Sequence, residues 1–272
     1  MLIPEQFRKC ATVLCVDERD EATGENARTA RGTAFFVADA ENRDYYVVTA
    51  RHVVQFSRPH GPLFLRLNRL DGSYEDIATN QDDWIEHDGT DIAITRAPFE
   101  PGYDVVFVPV TDFADQDYVD TNRLTEGDSV FFIGLFSLHP GRERVQPIAR
   151  FGAISLMPRE KVSVQLDPAS EATTAVDAYL VEGQSWGGSS GSPAFVYFTR
   201  TGRQNVVTLG STPRPALLGV VHGHYELPRE IEVRGDFLGR ARIGLNAGIA
   251  IVVPAWEILN TIVVERSLRS TN

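Results

Sequence analysis

Three residues that together can activate a hydroxyl group occur in this chain in the order histidine, aspartate, serine: His52, Asp91 and Ser190. In such a set the histidine takes the serine proton, the aspartate fixes the imidazole tautomer, and the serine oxygen attacks a carbonyl carbon. Ser190 lies in the run Gly-Gly-Ser-Ser-Gly-Ser-Pro at residues 187–193. A serine with this task needs a tight turn whose backbone N–H groups point at the developing oxyanion. Glycine, lacking Cβ, permits both the turn and the close approach of a substrate. On this reading Ser190 is the nucleophile, and the N–H groups of Gly188 and Ser190 are the oxyanion donors. Gly-Ser clusters also form flexible loops. Here residues 178–182 and 193–198 on either side are apolar and strand-like, so the turn joins strands instead of tethering domains.

The other two members must be positioned by elements of their own. His52 lies in the run Tyr-Tyr-Val-Val-Thr-Ala-Arg-His-Val-Val at 45–54, preceded by Gly-Thr-Ala-Phe-Phe-Val at 32–37. Both runs are rich in β-branched and aromatic residues, as buried strands are. A histidine beside such a strand also fits a core residue with a satisfied hydrogen bond. Asp91 opens Asp-Ile-Ala-Ile at 91–94 after a polar stretch, a position that equally suits a turn residue, and Asp88 is a competing carboxylate.

Taken together, these segments resemble trypsin-like serine peptidases. The pair Gly-Thr-Ala-Phe-Phe-Val and Val-Val-Thr-Ala-x-His resembles that family's strand, hairpin and histidine turn, where a small residue before the histidine lets the ring face the serine. Asp91, followed directly by small and aliphatic residues, matches the family's aspartate better than Asp88 does. Val-Phe-Phe-Ile-Gly at 130–134 and Phe-Gly-Ala-Ile-Ser at 151–155 resemble the opening strands of the second barrel in HtrA-type proteases. Leu-Leu-Gly-Val-Val at 217–221 resembles the strand beside which substrate lies, and the run at 246–254 the last strand before a terminal helix. Around the serine, the run is similar to that of glutamyl endopeptidases.

The resemblance implies a serine endopeptidase that hydrolyses polypeptides through an acyl-enzyme, using His52, Asp91 and Ser190. It implies a primary pocket lined by Gln184, Ser185 and the strand residues Val221, His222, Gly223 and His224. No acidic residue stands six before the serine, so cleavage after Arg or Lys is not implied. Glutamyl endopeptidases bind an acidic side chain with a histidine two residues after the strand glycine. His222 lies three after Gly219, which turns it to the other face of a regular strand unless a bulge intervenes. Two further readings share the residues: a catalytically silent binding or scaffold module, and an esterase with the same triad. The resemblance implies no cofactor and no metal, since His222 and His224 lack companion ligands for zinc. It leaves room for an activating protein partner or ligand.

Strand-like runs fall near 8–16, 32–38, 44–50, 62–67, 91–97 and 104–109, and again near 128–135, 147–156, 178–183, 192–198, 216–223 and 246–253. The expected fold is therefore all-β, with two six-stranded antiparallel barrels and a C-terminal helix. The polar stretch at 112–122 divides it into residues 1–120, carrying His52 and Asp91, and 121–272, carrying Ser190 and the helix. Residues 157–177, 199–215 and 225–244 are expected to be loops. A chain of 272 residues, 43% of them hydrophobic, can bury two such cores. Its net charge of -11 argues against nucleic acid or an anionic membrane as partner. The first ten residues offer neither an apolar signal core nor a cleavage site, so a cytoplasmic location is expected. Cys10 and Cys15, five apart in a strand-like run, point to opposite faces, so no disulfide is expected between them.

Overall fold

A computed structural model describes residues 3–19, 24, 26–98, 102–136, 141, 144–166, 172–183, 188–197, 214–233 and 239–271. After a short helix α1 (Glu5–Lys9), eight strands make up one sheet: β1 (Ala11–Arg19), β2 (Asn26–Asp39), β3 (Asp44–Thr49), β4 (Leu63–Asn68), β5 (Tyr74–Thr79), β6 (Ile85–Glu86), β7 (Ala93–Arg96) and β8 (Val108–Pro109). Their order is β5-β4-β1-β2-β3-β7-β6, with β8 pairing parallel to β2. This sheet is larger than the six strands expected of it. The additions are β5, whose exposed and polar run hides its strand character, and the two-residue β6, too short to show a period, while β8 falls within the run expected at 104–109. Helix α2 (Arg51–Ser57) follows β3, and α3 (Gln116–Asn122) lies in the polar stretch between the two halves.

In the second half, β9 (Ser129–Gly134), β10 (Ile148–Leu156), β13 (Tyr179–Glu182), β14 (Pro193–Tyr197), β15 (Ala216–Val233) and β16 (Gly239–Pro254) close into a six-stranded barrel, and β11 (Val162–Val164) pairs with β12 (Thr174–Val176) beside it. Each buried strand here reads as a continuous apolar run, as in Val-Phe-Phe-Ile-Gly of β9. The expected loop at 225–244 is instead a β-ribbon: β15 and β16 stay paired from Gly219–Pro254 out to Val233–Gly239. Glutamates, arginines and Pro228 disguise it, because they break the alternation by which a strand is read. The expected loop at 157–177 likewise contains β11 and β12.

One hydrophobic core crosses between the halves. Phe35, Val37, Tyr46, Val48 and Ile94 of the first sheet pack in one cluster with Phe131, Ile133, Phe195, Leu217 and Val253 of the barrel. Phe7 of α1 sets its ring edge against Phe131 and Phe195, with centroids 5.3 and 5.0 Å away. Helix α4 (Ala255–Thr271) then leaves the barrel and returns to the first sheet, burying Ile258 and Ile262 in the shared core. Beyond them, Glu265 accepts from the Tyr46 hydroxyl at 3.0 Å, and Arg266 reaches Asp39 at 2.6 Å and Asp44 at 3.1 Å. Asp44 is almost fully buried and also receives Arg96 and Arg269, so this charge does not stand alone in the interior. Cys10 and Cys15 are both buried and unbridged. Burial pushes the Cys15 thiol up to about 11, far from the range of a nucleophile.

Candidate active site

His52 is the second residue of α2, and β3 delivers it to the site. Thr49 ends the strand, Ala50 is fully buried in extended conformation, and the helix begins at Arg51. Asp91 sits between β6 and β7 on a loop fastened from two sides. Arg51 donates to the carbonyl oxygens of His87 and Asp88 at 2.8 and 3.3 Å, and His87 pairs with Glu257 of α4 at 3.3 Å. Asp88 is exposed, whereas Asp91 is fully buried and meets His52 twice. The His52 backbone N–H donates to Oδ1 at 2.9 Å, and its Nδ1 lies 2.7 Å from Oδ2.

A further imidazole shares that carboxylate. His222 Nδ1 lies 2.5 Å from the same Oδ2, and the two rings meet edge to face with centroids 5.4 Å apart. Burial alone would raise the Asp91 pKa, but the adjacent His52 and His222, by charge and by hydrogen bonding, outweigh it and hold the carboxyl well below the usual range. The donor atoms of His52, Asp91 and His222 all fall within 4.8 Å of one another, a spacing that admits a metal ion. A first-row ion 2.0–2.2 Å from each ligand would hold them about 3.3 Å apart. The contacts of 2.7 and 2.5 Å are those of hydrogen bonds.

Ser190 stands in the turn before β14, and main-chain bonds fix that turn. Thr33 N–H donates to the Ser190 carbonyl at 2.9 Å, Gly191 N–H to the Val221 carbonyl at 2.8 Å, and Ser192 N–H to the Ser189 carbonyl at 3.0 Å. The Thr33 hydroxyl donates to the Gly188 carbonyl at 2.8 Å, tying the turn to the first sheet. Gly188 and Gly191 have φ of 91° and 82°, the left-handed region in which glycine has no penalty. The N–H groups of Gly188 and Ser190 make no backbone hydrogen bond among the described residues. The Ser190 hydroxyl donates to the His222 carbonyl at 3.0 Å, and no hydrogen bond joins it to His52 in this arrangement.

Gly191 gives the turn a sharp test. A Cβ there would sit inside the van der Waals shells of the Thr33 carbonyl oxygen and the Thr49 hydroxyl, on top of the unfavourable φ. Gly191→Ala is expected to lose about 3 kcal/mol or more of stability, from strain and overpacking combined. Denaturant titration measures this directly, and a variant within about 1 kcal/mol of wild type would show the turn to be less tightly held than these contacts require.

Of the expected pocket residues, Gln184 and Ser185 lie outside the described residues. Val221, His222, Gly223 and His224 all lie on β15, but His222 turns its ring to Asp91 instead of offering it to a substrate side chain. The strand is bulged at this residue. Val221 pairs with Val252 and Gly223 with Ile251, so His222 is an extra residue with no partner on β16. The sequence shows the parity of 219 and 222 but not the bulge, which depends on the partner strand. Arg150 of β10 was not singled out by its sequence context, yet its guanidinium donates to the hydroxyl of Ser189, beside Ser190, at 3.1 Å.

Comparison with known proteins bears on this arrangement. The sequence model of a family described as trypsin-like peptidase domain matches residues 32–203. Among solved structures, the active form of the Rv3671c protease from M. tuberculosis is similar with a TM-score of 0.50 and 17% identity, covering 94% of this chain and 81% of that one. The inactive form of the same protease is similar with a TM-score of 0.48 and 17% identity, over 94% and 89% of the two chains. At this identity the likeness is one of fold. No curated protein matches.

Proposed function

The chain belongs to the trypsin-like peptidase family, and from that premise we propose that it is a serine endopeptidase acting through His52, Asp91 and Ser190. The observation that supports this most is the double grip of Asp91 on His52, through the backbone N–H and Nδ1 together. With the Nδ1 proton held by the carboxylate, the Nε2 lone pair is left free to accept a proton. Catalysis would begin with a rotation of the Ser190 side chain, taking its hydroxyl from the His222 carbonyl to His52. His52 then takes the proton as the oxygen attacks a peptide carbonyl. The N–H groups of Gly188 and Ser190 are the donors for the resulting oxyanion, and His52 returns the proton to the leaving amine. Water repeats the sequence on the acyl-enzyme. The substrate is a polypeptide, with the side chain preferred at the cleavage site set by the pocket around residues 184–185 and β15.

A fluorophosphonate probe separates this reading from a silent binding module, because it phosphonylates only a serine that is activated. Labelling is expected at Ser190 in the wild type and is expected to disappear in His52→Ala. A wild-type protein that stays unlabelled while folded would favour the binding module. Labelling with hydrolysis of esters but not of peptides would favour the esterase.

A further inference from the structure

A carboxylate oxygen shared by two imidazoles is the feature of this site that the proposed reaction does not use. Asp91 is fully buried and accepts three hydrogen bonds: His52 N–H on Oδ1, and both His52 Nδ1 and His222 Nδ1 on Oδ2. Among the described residues, the titratable groups that face the His222 ring are Asp91, from the loop before β7, and His52, from α2. The turn before β14 adds only the Ser190 hydroxyl, on the His222 carbonyl.

We propose that His222 is a positioning residue that tunes the basicity of His52 by competing with it for Oδ2 of Asp91. The inference rests on the peptidase reading given above. Its physical basis is the direction of the shared charge. An imidazolium at His52 is stabilised by the Asp91 carboxylate, and a second N–H aimed at the same oxygen draws part of that negative potential away. His52 is thereby made a weaker base than a carboxylate devoted to it alone would make it, and it holds the proton taken from Ser190 less tightly. The same N–H stops the carboxylate from rotating out of line with His52. The bulge at His222 makes this arrangement available, because it turns the ring of a residue on β15 inward to Asp91 while its carbonyl still accepts from Ser190.

The test compares wild type, His222→Ala and His222→Asn. Asparagine carries its amide nitrogen on Cγ, where histidine carries Nδ1, so it keeps a neutral donor at the same place. For His222→Ala, kcat on a fluorogenic peptide is expected to fall about 10- to 100-fold through lost alignment, with KM within about twofold. The acid limb of its kcat/KM profile is expected to move up by about 0.5 to 1 pH unit, because Asp91 then serves His52 alone. His222→Asn is expected to recover most of the rate and to place the limb near that of wild type. An alanine variant with the rate and acid limb of wild type would overturn the proposal, and so would an asparagine variant that matches alanine in both. A readout free of turnover separates this from failure of the peptidase reading. In a Ser190→Ala background, NMR titration of ¹⁵N-labelled imidazoles should show the His52 midpoint rising when His222 is replaced by alanine. An unchanged midpoint overturns the tuning role even if the protein hydrolyses peptides.

Discussion

Ser190→Ala is expected to fold as the wild type does and to hydrolyse nothing measurable. The turn around residue 190 is held by main-chain bonds to Thr33, Val221 and Ser189, none of which involves the serine hydroxyl. The one side-chain bond lost is to the His222 carbonyl at 3.0 Å, so the melting point should move only by the equivalent of about 1 kcal/mol. Turnover, by contrast, should fall by about 10⁴ to 10⁶, because nucleophile and base act as a unit and neither retains much function alone. Digestion of a proteome-derived peptide library by the two proteins side by side reads both the loss and the preferred cleavage site. Equal cleavage by the variant would remove Ser190 from the chemistry.

The second large effect is expected of Asp91→Asn, which preserves shape and inverts polarity. An amide at this position can accept the His52 backbone N–H with its oxygen, but its NH2 then faces both Nδ1 atoms. Each imidazole must turn its Nδ1 into an acceptor, which moves the His52 proton to Nε2, the atom that has to receive the proton from Ser190. A loss of about 10⁴ in kcat is expected from the wrong tautomer alone. In the wild type the carboxylate is held below the usual range, so its stabilising charge is complete above a pH of about 4 and is lost only as the pH falls beneath that. Asp91→Asn should therefore depress the rate at every pH. A variant within tenfold of wild type at any pH would mean that His52 takes its orientation from elsewhere.

Much of this site is legible in the sequence, because each of its three principal residues sits in a local pattern with a physical purpose. Ala50 before His52 is fully buried and extended, which delivers the ring at the start of α2. Asp91 precedes Ile92, Ala93 and Ile94, which are all fully buried and anchor its loop to the core. Glycines at 188 and 191 announce positive φ. The barrel strands and the terminal helix show as apolar runs and an apolar spacing. What escapes are features set by partners far along the chain. The ring direction of His222 depends on a register shift against β16. The ribbon of β15 and β16 pairs along its length, but its charged residues and Pro228 leave no alternation to read. Helix α1 spans only five residues, too few for a helical period to register.

The return of α4 to the first sheet bears on how the molecule holds its reactive atoms in place. His52 and Asp91 ride on the first sheet and Ser190 on the barrel, so in the proposed reaction the distance between base and nucleophile spans the two halves. The seam between the halves is their shared hydrophobic core. The helix acts as a brace across that seam: its Glu257 grips His87 on the Asp91 loop, and Glu265 and Arg266 hold Tyr46, Asp39 and Asp44 on the far sheet. In the proposed reaction, stiffness far from the serine would help set the rate, and the two halves should lose their structure together, in a single cooperative melt.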